Sequence, residues 1–208
     1  AYGVYMAIKS AIKFVHGDDS LKGITVAIQG AGHVASNLVE YLSEEGAKII
    51  ISNRTAENLK TLVSRFPNIT VVEPEEIYEQ ECDVFSPCAL GGILNAETID
   101  KLKCKIIAGS ANNQLADPKF GQVLHDKGII FAPDFVINVG GFISASDPVD
   151  MKNVNYDRVM SKTRRIYDLT SIILERSKEE DIPTYLVAEK LANERINMIG
   201  NIKRKFVK

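Results

Sequence analysis

The sequence predicts an α/β protein in which a parallel sheet, wound in both directions from its centre, is covered by helices on both faces. Two observations carry this. From Ile24 to Asn53, a β-branched run ends in Gly30-Ala31-Gly32-His33-Val34-Ala35, a helical pattern follows to Glu45, and a second β-branched run leads to Ser52 and Asn53. Down to Ala132, six short apolar runs alternate with helical patterns. Strands linked through helices in this way pair in parallel and are buried on both faces.

The elements follow in order. Val4, Ile8, Ile12 and Val15 lie on one face of a leading helix, residues 1–17, which Gly17-Asp18-Asp19-Ser20 ends. It has no capping residue and no initiating methionine before it, so it reads as entered from something upstream, in a fragment or a processed chain. The first strand, the glycine turn, a helix to Glu45 and the second strand come next. A helix from about Ala56 to Phe66 is stopped by Pro67, and Ile69 to Val72 makes the third strand. Glu73-Pro74-Glu75-Glu76 opens a helical turn, with Pro74 suited to its first position. Asp83 to Ser86 is the fourth strand and Pro87 to Gly92 a loop. A helix over about Ala96–Leu102 leads to the fifth strand, Lys105 to Ala108, and to the loop Gly109 to Gln114. Asp117 and Pro118 open a helix that Gly128 closes, and Ile129 to Ala132 is the sixth strand.

Pro133 to Ile143 is too glycine-rich for a plain helix start and too apolar for a solvent loop, and is expected to line a pocket. From about Asn155, two helices broken at Asp181-Ile182-Pro183-Thr184 carry the stripes Val159, Ile166, Leu169, Ile173 and Ala188, Ala192, Ile196, Ile199, which are expected to pack. Lys203-Arg204-Lys205 suits a solvated helix end. The expected domains are a dinucleotide-binding unit over 1–150 and helices over 151–208 that pack on it or return to a missing N-terminal domain.

The expected strand order is 3-2-1-4-5-6 with right-handed crossovers, the Rossmann arrangement, which binds ligands beyond the carboxyl ends of the strands where the winding reverses. Gly30 to Val34, Ser86 to Gly92 and Gly109 to Gln114 should therefore face the ligand. Gly30 suits the tight turn, Gly32 admits a pyrophosphate close to the backbone, and Ala35 lets the helix pack on the sheet. The phosphates would rest on the free N–H groups of Ala31 to Val34 at the positive end of the helix dipole. A turn without a ligand needs neither two glycines nor an alanine at this register.

The 25 basic and 27 acidic residues nearly balance, which disfavours nucleic acid or a membrane surface as a partner. No apolar run reaches bilayer length and no signal peptide is visible, so a cytoplasmic protein is expected. Cys82, Cys88 and Cys104 are too few and too scattered for a disulfide framework or a paired zinc motif, and Cys82 and Cys104 read as reduced, partly buried thiols. His16, His33 and His125 have no ligand spacing, so no metal is expected.

The loops resemble a known family. Ala1 to Tyr5, Gln29 to Ala35, Glu81 to Gly92, Ile107 to Leu115, Ala132 to Gly141 and Ile182 to Tyr185 are similar to the dinucleotide-binding domain of the amino acid dehydrogenases that act on glutamate, leucine, phenylalanine and valine, the leucine-specific members above all. The resemblance implies oxidative deamination of an L-amino acid to a 2-oxo acid and ammonia, with hydride transfer to NAD or NADP. It also implies roles: Cys88 and Ala89 along the nicotinamide ribose, Ser110, Asn112 and Asn113 at the carboxamide, and Asn138 with Val139, Phe142 and Ile143 at the substrate. Turn stabilisation is the alternative role for one of Asn112 and Asn113. Catalysis in the family uses two lysines and an aspartate from an N-terminal domain, with a glycine-rich segment before a lysine. Neither Gly91-Gly92 nor Gly140-Gly141 has a lysine close behind it. Asp134 and Asp147 could cap turns as easily as serve as a base, so no catalytic residue is assigned. Full-length members are expected to be homo-oligomers.

One departure bears on the cofactor. NAD-using relatives carry an aspartate after the second strand, where an acid holds the ribose hydroxyls; here Asn53-Arg54-Thr55 stands. This looks like the sequence with which shikimate dehydrogenases hold the 2′-phosphate of NADP, and it favours NADP; the alternative is that Arg54 points to water beside an NAD adenine. Two other functions remain open at this point, a non-catalytic dinucleotide-binding or sensing module and a shikimate-type NADP dehydrogenase.

Overall fold

The centre of the sheet is β1 (Thr25–Gln29), whose side chains alternate between two cores. Val26 and Ile28 enter one, Ala27 the other, and all three are buried. The computed structural model describes residues 1–147 and 155–206, with side chains to residue 199. The expected division between residues 150 and 151, and the side chains of Lys203, Arg204 and Lys205, lie outside the described residues.

Around β1 the chain adds β2 (Lys48–Ser52), β3 (Thr70–Val71), β4 (Val84–Pro87), β5 (Ile106–Ile107) and β6 (Ile130–Phe131). All pair in parallel in the order β3-β2-β1-β4-β5-β6, as the sequence predicts. Gln29 stands opposite both Ser52 and Pro87, so β1, β2 and β4 end level. That level edge brings the segments after these strands to one place.

One face carries α1 (Tyr2–His16), α2 (His33–Glu44), α3 (Ala56–Arg65) and α9 (Ile166–Glu180). Ile8, Leu38, Leu62 and Ile173 from these helices share a core with Val26, Ile28 and Ile51. The other face carries a 3-10 turn (Glu76–Glu79), α4 (Ala96–Ile99) and α5 (Lys119–Asp126), whose Ile77, Ile99 and Leu124 surround Phe85, Ile107 and Phe131. Gly17 ends α1 in the left-handed conformation at φ 83°. Lys9 on α1 pairs with Glu45 at 2.7 Å, and Tyr5 donates a second hydrogen bond to the same carboxylate. Burial, and then the bond to the Glu45 carboxylate, push the Tyr5 hydroxyl pKa up.

Helices α8 (Tyr156–Arg164) and α9 follow each other with only Arg165 between them, at φ −62° and ψ −13°. The expected first C-terminal helix therefore exists with one tightened turn. At Gly3 a Cβ would stand 2.5 Å from the Ile137 carbonyl oxygen and 2.7 Å from the Ile166 side chain, so α1 approaches α9 closely through a glycine.

Two segments depart from the sequence reading. Pro133 to Ile143 folds into α6 (Asp134–Ile137) and α7 (Gly140–Ser146). Gly140 and Gly141 fall in the first turn of α7, where backbone N–H groups have no intrahelical partner in any case. In α10 (Thr184–Phe206), Val187 and Ala188 are buried but Ile196 and Ile199 are exposed. The stripe packs only where α10 runs beside α5, β6 and α9. No described helix is long and apolar enough to cross a membrane.

Because Phe85 fills the core between two helices and the sheet, Phe85→Ala should cost about 3–5 kcal/mol of stability in urea unfolding. Val71→Ala, at the exposed edge strand, should cost less than about 1 kcal/mol.

Candidate functional site

The turn after β1 is built around two glycines with different physical reasons. Gly30 adopts φ +103°, and a Cβ there would stand 2.9 Å from the Ala89 Cβ and 3.2 Å from the Cys88 backbone. Both its conformation and its neighbours exclude a side chain. Gly32 has an ordinary φ of −79°, and nothing lies within 4 Å of a Cβ built on it. Nothing in the described fold demands a glycine there, and the space beside its backbone is open. Gly32 is also the N-cap of α2, where no side chain caps the helix. The first intrahelical bond is Ser36 N–H to Gly32 O at 2.9 Å, which leaves the N–H groups of His33, Val34 and Ala35 facing that space. His33 and Val34 are exposed, while Ala35 is buried against the sheet. A bare helix N-terminus with room before it fits a pyrophosphate.

Asn53 ties this turn to the end of β2. Its Oδ1 accepts the Ala31 N–H at 3.1 Å, and its Nδ2 donates to the Thr55 carbonyl at 2.9 Å. Arg54 is exposed and forms no ion pair among the described residues. It lines a groove of about 200 Å³ together with Gly30, Asn53, Glu75, Tyr78 and Leu90. The Tyr78 hydroxyl accepts a hydrogen bond from Gln29 Nε2 at 2.5 Å. Burial pushes its pKa up, while the Gln29 bond and the Arg54 charge oppose the shift. Tyr78, on the 3-10 turn, and Glu75, just before it, escaped sequence reasoning because Tyr78 meets Gln29 across 49 residues of chain; the available signal was the Pro74-led turn after the third strand.

The loops after β4 and β5 interlock. Cys88 N–H donates to Gln29 O at 2.8 Å, Ala111 N–H to Pro87 O at 3.0 Å, and Gly92 N–H to Asn113 O at 2.7 Å. Cys88 Sγ lies 3.5 Å from Ser86 Oγ, and Ala89 is exposed beside Gly30. A Cβ at Gly91 would stand 2.4 Å from Asn112 O, and one at Gly109 would stand 2.1 Å from Pro87 O. Asn113 sits at φ +52°, a turn conformation that asparagine tolerates. Asn112 Oδ1 accepts from Asn138 Nδ2 at 2.6 Å, and the same Nδ2 lies 3.4 Å from the Ser110 carbonyl. Ser110, Asn112, Asn113 and Asn138 thus form one cluster.

The residues expected at the substrate divide. Val139 and Ile143 line a groove of about 560 Å³ with Lys162, Arg165 and Leu169. Phe142 is 74% exposed and does not line it. The two acids considered as bases are both engaged. Asp134 Oδ2 accepts the Asn113 N–H at 2.6 Å. Asp147 takes two bonds from Arg158 at 2.8 and 2.7 Å and one from Lys162 at 2.9 Å, which hold its carboxyl well below the usual carboxylate range. Among the described residues no three His, Cys, Asp or Glu side chains converge as a metal site.

Residues 1–55 and 50–196 match the model of the Glutamate/Leucine/Phenylalanine/Valine dehydrogenase family. The chain is 47% identical over 207 residues to leucine dehydrogenase of Thermoactinomyces intermedius and 37% identical over 205 residues to the phenylalanine dehydrogenase of the same organism. These alignments cover 100% and 98% of the chain but 56% of each relative, so the chain spans about half the length of the curated relatives it matches. Among solved structures, L-tryptophan dehydrogenase from Nostoc punctiforme superposes with a TM-score of 0.88 at 40% identity, over 94% of this chain and 58% of that one. A hetero-hexameric glutamate dehydrogenase from Thermus thermophilus, at 20% identity and a TM-score of 0.75 over 98% of this chain and 53% of that one, shares the fold. With a family match running from residue 1 to residue 196, the chain belongs to the Glutamate/Leucine/Phenylalanine/Valine dehydrogenase family.

Proposed function

We propose that this chain is the cofactor-binding part of an amino acid dehydrogenase that converts an L-amino acid, branched-chain such as leucine, to its 2-oxo acid and ammonia. The observation that carries this is the uncapped start of α2 beside the open space at Gly32, at the same edge as the loops after β4 and β5. A bound nicotinamide dinucleotide supplies the hydride acceptor. The chain's own residues do the positioning: backbone N–H groups of His33 and Val34 hold the pyrophosphate, with Gly30 and Ala31 forming the turn beneath it. Cys88 and Ala89 flank the nicotinamide ribose, and Ser110, Asn112, Asn113 and Asn138 orient the ring through neutral groups that add no charge. Val139 and Ile143 offer apolar surface to an aliphatic side chain, with Phe142 at the border.

Proton transfer needs a group within hydrogen-bond reach of the reacting amine, and Asp134 and Asp147 are both occupied. The catalytic lysines and aspartate are assigned to an N-terminal domain of a longer, homo-oligomeric protein. Residues 1–150 form the dinucleotide unit, and the helices beyond support it. A sensing module without turnover would not need the Asn138 segment. A shikimate-type enzyme, suggested by Asn53-Arg54-Thr55 alone, sits poorly beside similarity that runs through the whole chain to amino acid dehydrogenases.

Three outcomes are expected. Gly32→Val should abolish dinucleotide binding in isothermal titration while thermal unfolding stays near that of the parent, because a Cβ at this position has no protein atom within 4 Å and the branched side chain enters the proposed ligand space. NADP should bind at least as tightly as NAD. An aspartate in place of Asn53 would repel a 2′-phosphate by roughly 4 kcal/mol at 4 Å and an effective dielectric near 20, before desolvation. Here Arg54 instead offers a planar pair of donors. Tenfold tighter NAD, about 1.4 kcal/mol, or unchanged NADP affinity in Arg54→Ala, contradicts this. Finally, the 208-residue chain with either cofactor and a panel of L-amino acids should produce no reduced nicotinamide by absorbance. Turnover at ordinary dehydrogenase rates would mean that the catalytic groups lie in this chain.

A further inference from the structure

Asp134 opens α6, yet its carboxylate caps nothing in that helix. The side chain is 8% exposed, and Oδ2 accepts the N–H of Asn113 at 2.6 Å, 21 residues away in sequence. Asn113 is held in the left-handed region at φ +52°, and its own carbonyl accepts Gly92 N–H at 2.7 Å. The backbone of this one residue is therefore gripped from α6 on one side and from the loop after β4 on the other. One turn further along, Asn138 grips the neighbouring Asn112 through Oδ1 at 2.6 Å. From inside the loop, the fully buried Gln114 donates from Nε2 to Gly109 O at 2.9 Å and to Ala111 O at 3.0 Å.

We propose that Asp134 is a positioning residue: through the Asn113 N–H it locks the loop Ser110 to Asn113 in the one arrangement that orients the nicotinamide ring. The inference rests on the dinucleotide reading above. The carboxylate is a strong acceptor, and its bond to a backbone donor is charge-assisted and short. Without it, a part-buried charge-assisted bond is lost, and Asn113 has little reason to stay at a positive φ. The loop after β4 is hooked to Asn113 as well, so a shift at Asn113 reaches both nicotinamide-facing loops. The adenosine end lies mainly on the other half of the sheet, at Gly30, Asn53 and Arg54, with Ala89 and Leu90 of the β4 loop beside it, so a shift at Asn113 reaches it only at second hand. The defect must then be selective for ligands that carry nicotinamide.

The test is titration of the 208-residue chain with NADH and with ADP-ribose, which is identical but for the missing nicotinamide. Bound-NADH fluorescence serves as a second readout. Asp134→Ala should weaken NADH about tenfold, leave ADP-ribose within about twofold, and lower the emission of NADH at saturation. Asp134→Asn keeps an acceptor oxygen and should stay within about threefold of the parent for NADH. Unchanged NADH affinity and emission in Asp134→Ala overturns the proposal, as does equal weakening of both ligands, which marks a general scaffold role. An Asp134→Asn variant as impaired as Asp134→Ala also overturns it. If the parent chain binds neither ligand, the dinucleotide reading falls and this inference falls with it. If the parent binds both and only the variants fail to discriminate, the dinucleotide reading stands and the role of Asp134 alone is lost.

Discussion

The ligand edge depends on the crossing of three backbones at Gly30. Its N–H donates to Ser52 O at 2.8 Å, and the neighbouring Gln29 carbonyl accepts Cys88 N–H at 2.8 Å. β1, β2 and β4 are thereby pinned at their common end. A Cβ at Gly30 would meet the Ala89 side chain. Only a residue without a side chain, and one that tolerates φ +103°, lets the β4 loop close over the turn. From this crossing come the open space at Gly32, the Asn53 tie to Ala31 and the groove beside Arg54.

The second half of the site is built by a different device. The loops after β4 and β5 have no regular structure of their own, but they share an isolated parallel bridge between Leu94 and Leu115. They also exchange backbone bonds at Pro87, Gly92 and Gln114. Gly91 and Gly109 permit this close approach of one loop to the other. Loops tied in this way act as a single unit, which suits the proposed role of holding a planar ring in one orientation.

Fold and site differed in how much of them could be read from the sequence, for physical reasons. The strand order followed from β-branched runs alternating with helices, because burial on both faces writes itself into local composition. The glycine turn was equally local. The roles of Tyr78 and Asp134 are not legible in the sequence because their partners are distant in it: Gln29 for Tyr78 and Asn113 for Asp134. A polar side chain that bonds to a remote backbone leaves no periodic trace. Pro133 to Ile143 is largely helical although its glycines argue against a plain helix start, because Gly140 and Gly141 fall in the first turn of α7. The stripe on α10 was read as packed along its length, but periodicity reports only that a face is apolar, and Ile196 and Ile199 have no covering element among the described residues.

Charge at the groove beside β2 is set by Arg54 and Glu75, the basic and acidic residues that line it, while Asp147 is paired with Arg158 and Lys162. The proposed dinucleotide site runs across the crossing at Gly30, from the start of α2 to the Asn112 loop. Backbone amide NMR of the chain during titration with NAD and NADP tests it most directly. The largest shifts are expected at Gly32, His33, Val34, Ser110 and Asn113. Shifts concentrated elsewhere, such as the cavity between α1, α5 and α9 beside His125, with those amides unmoved, would contradict it.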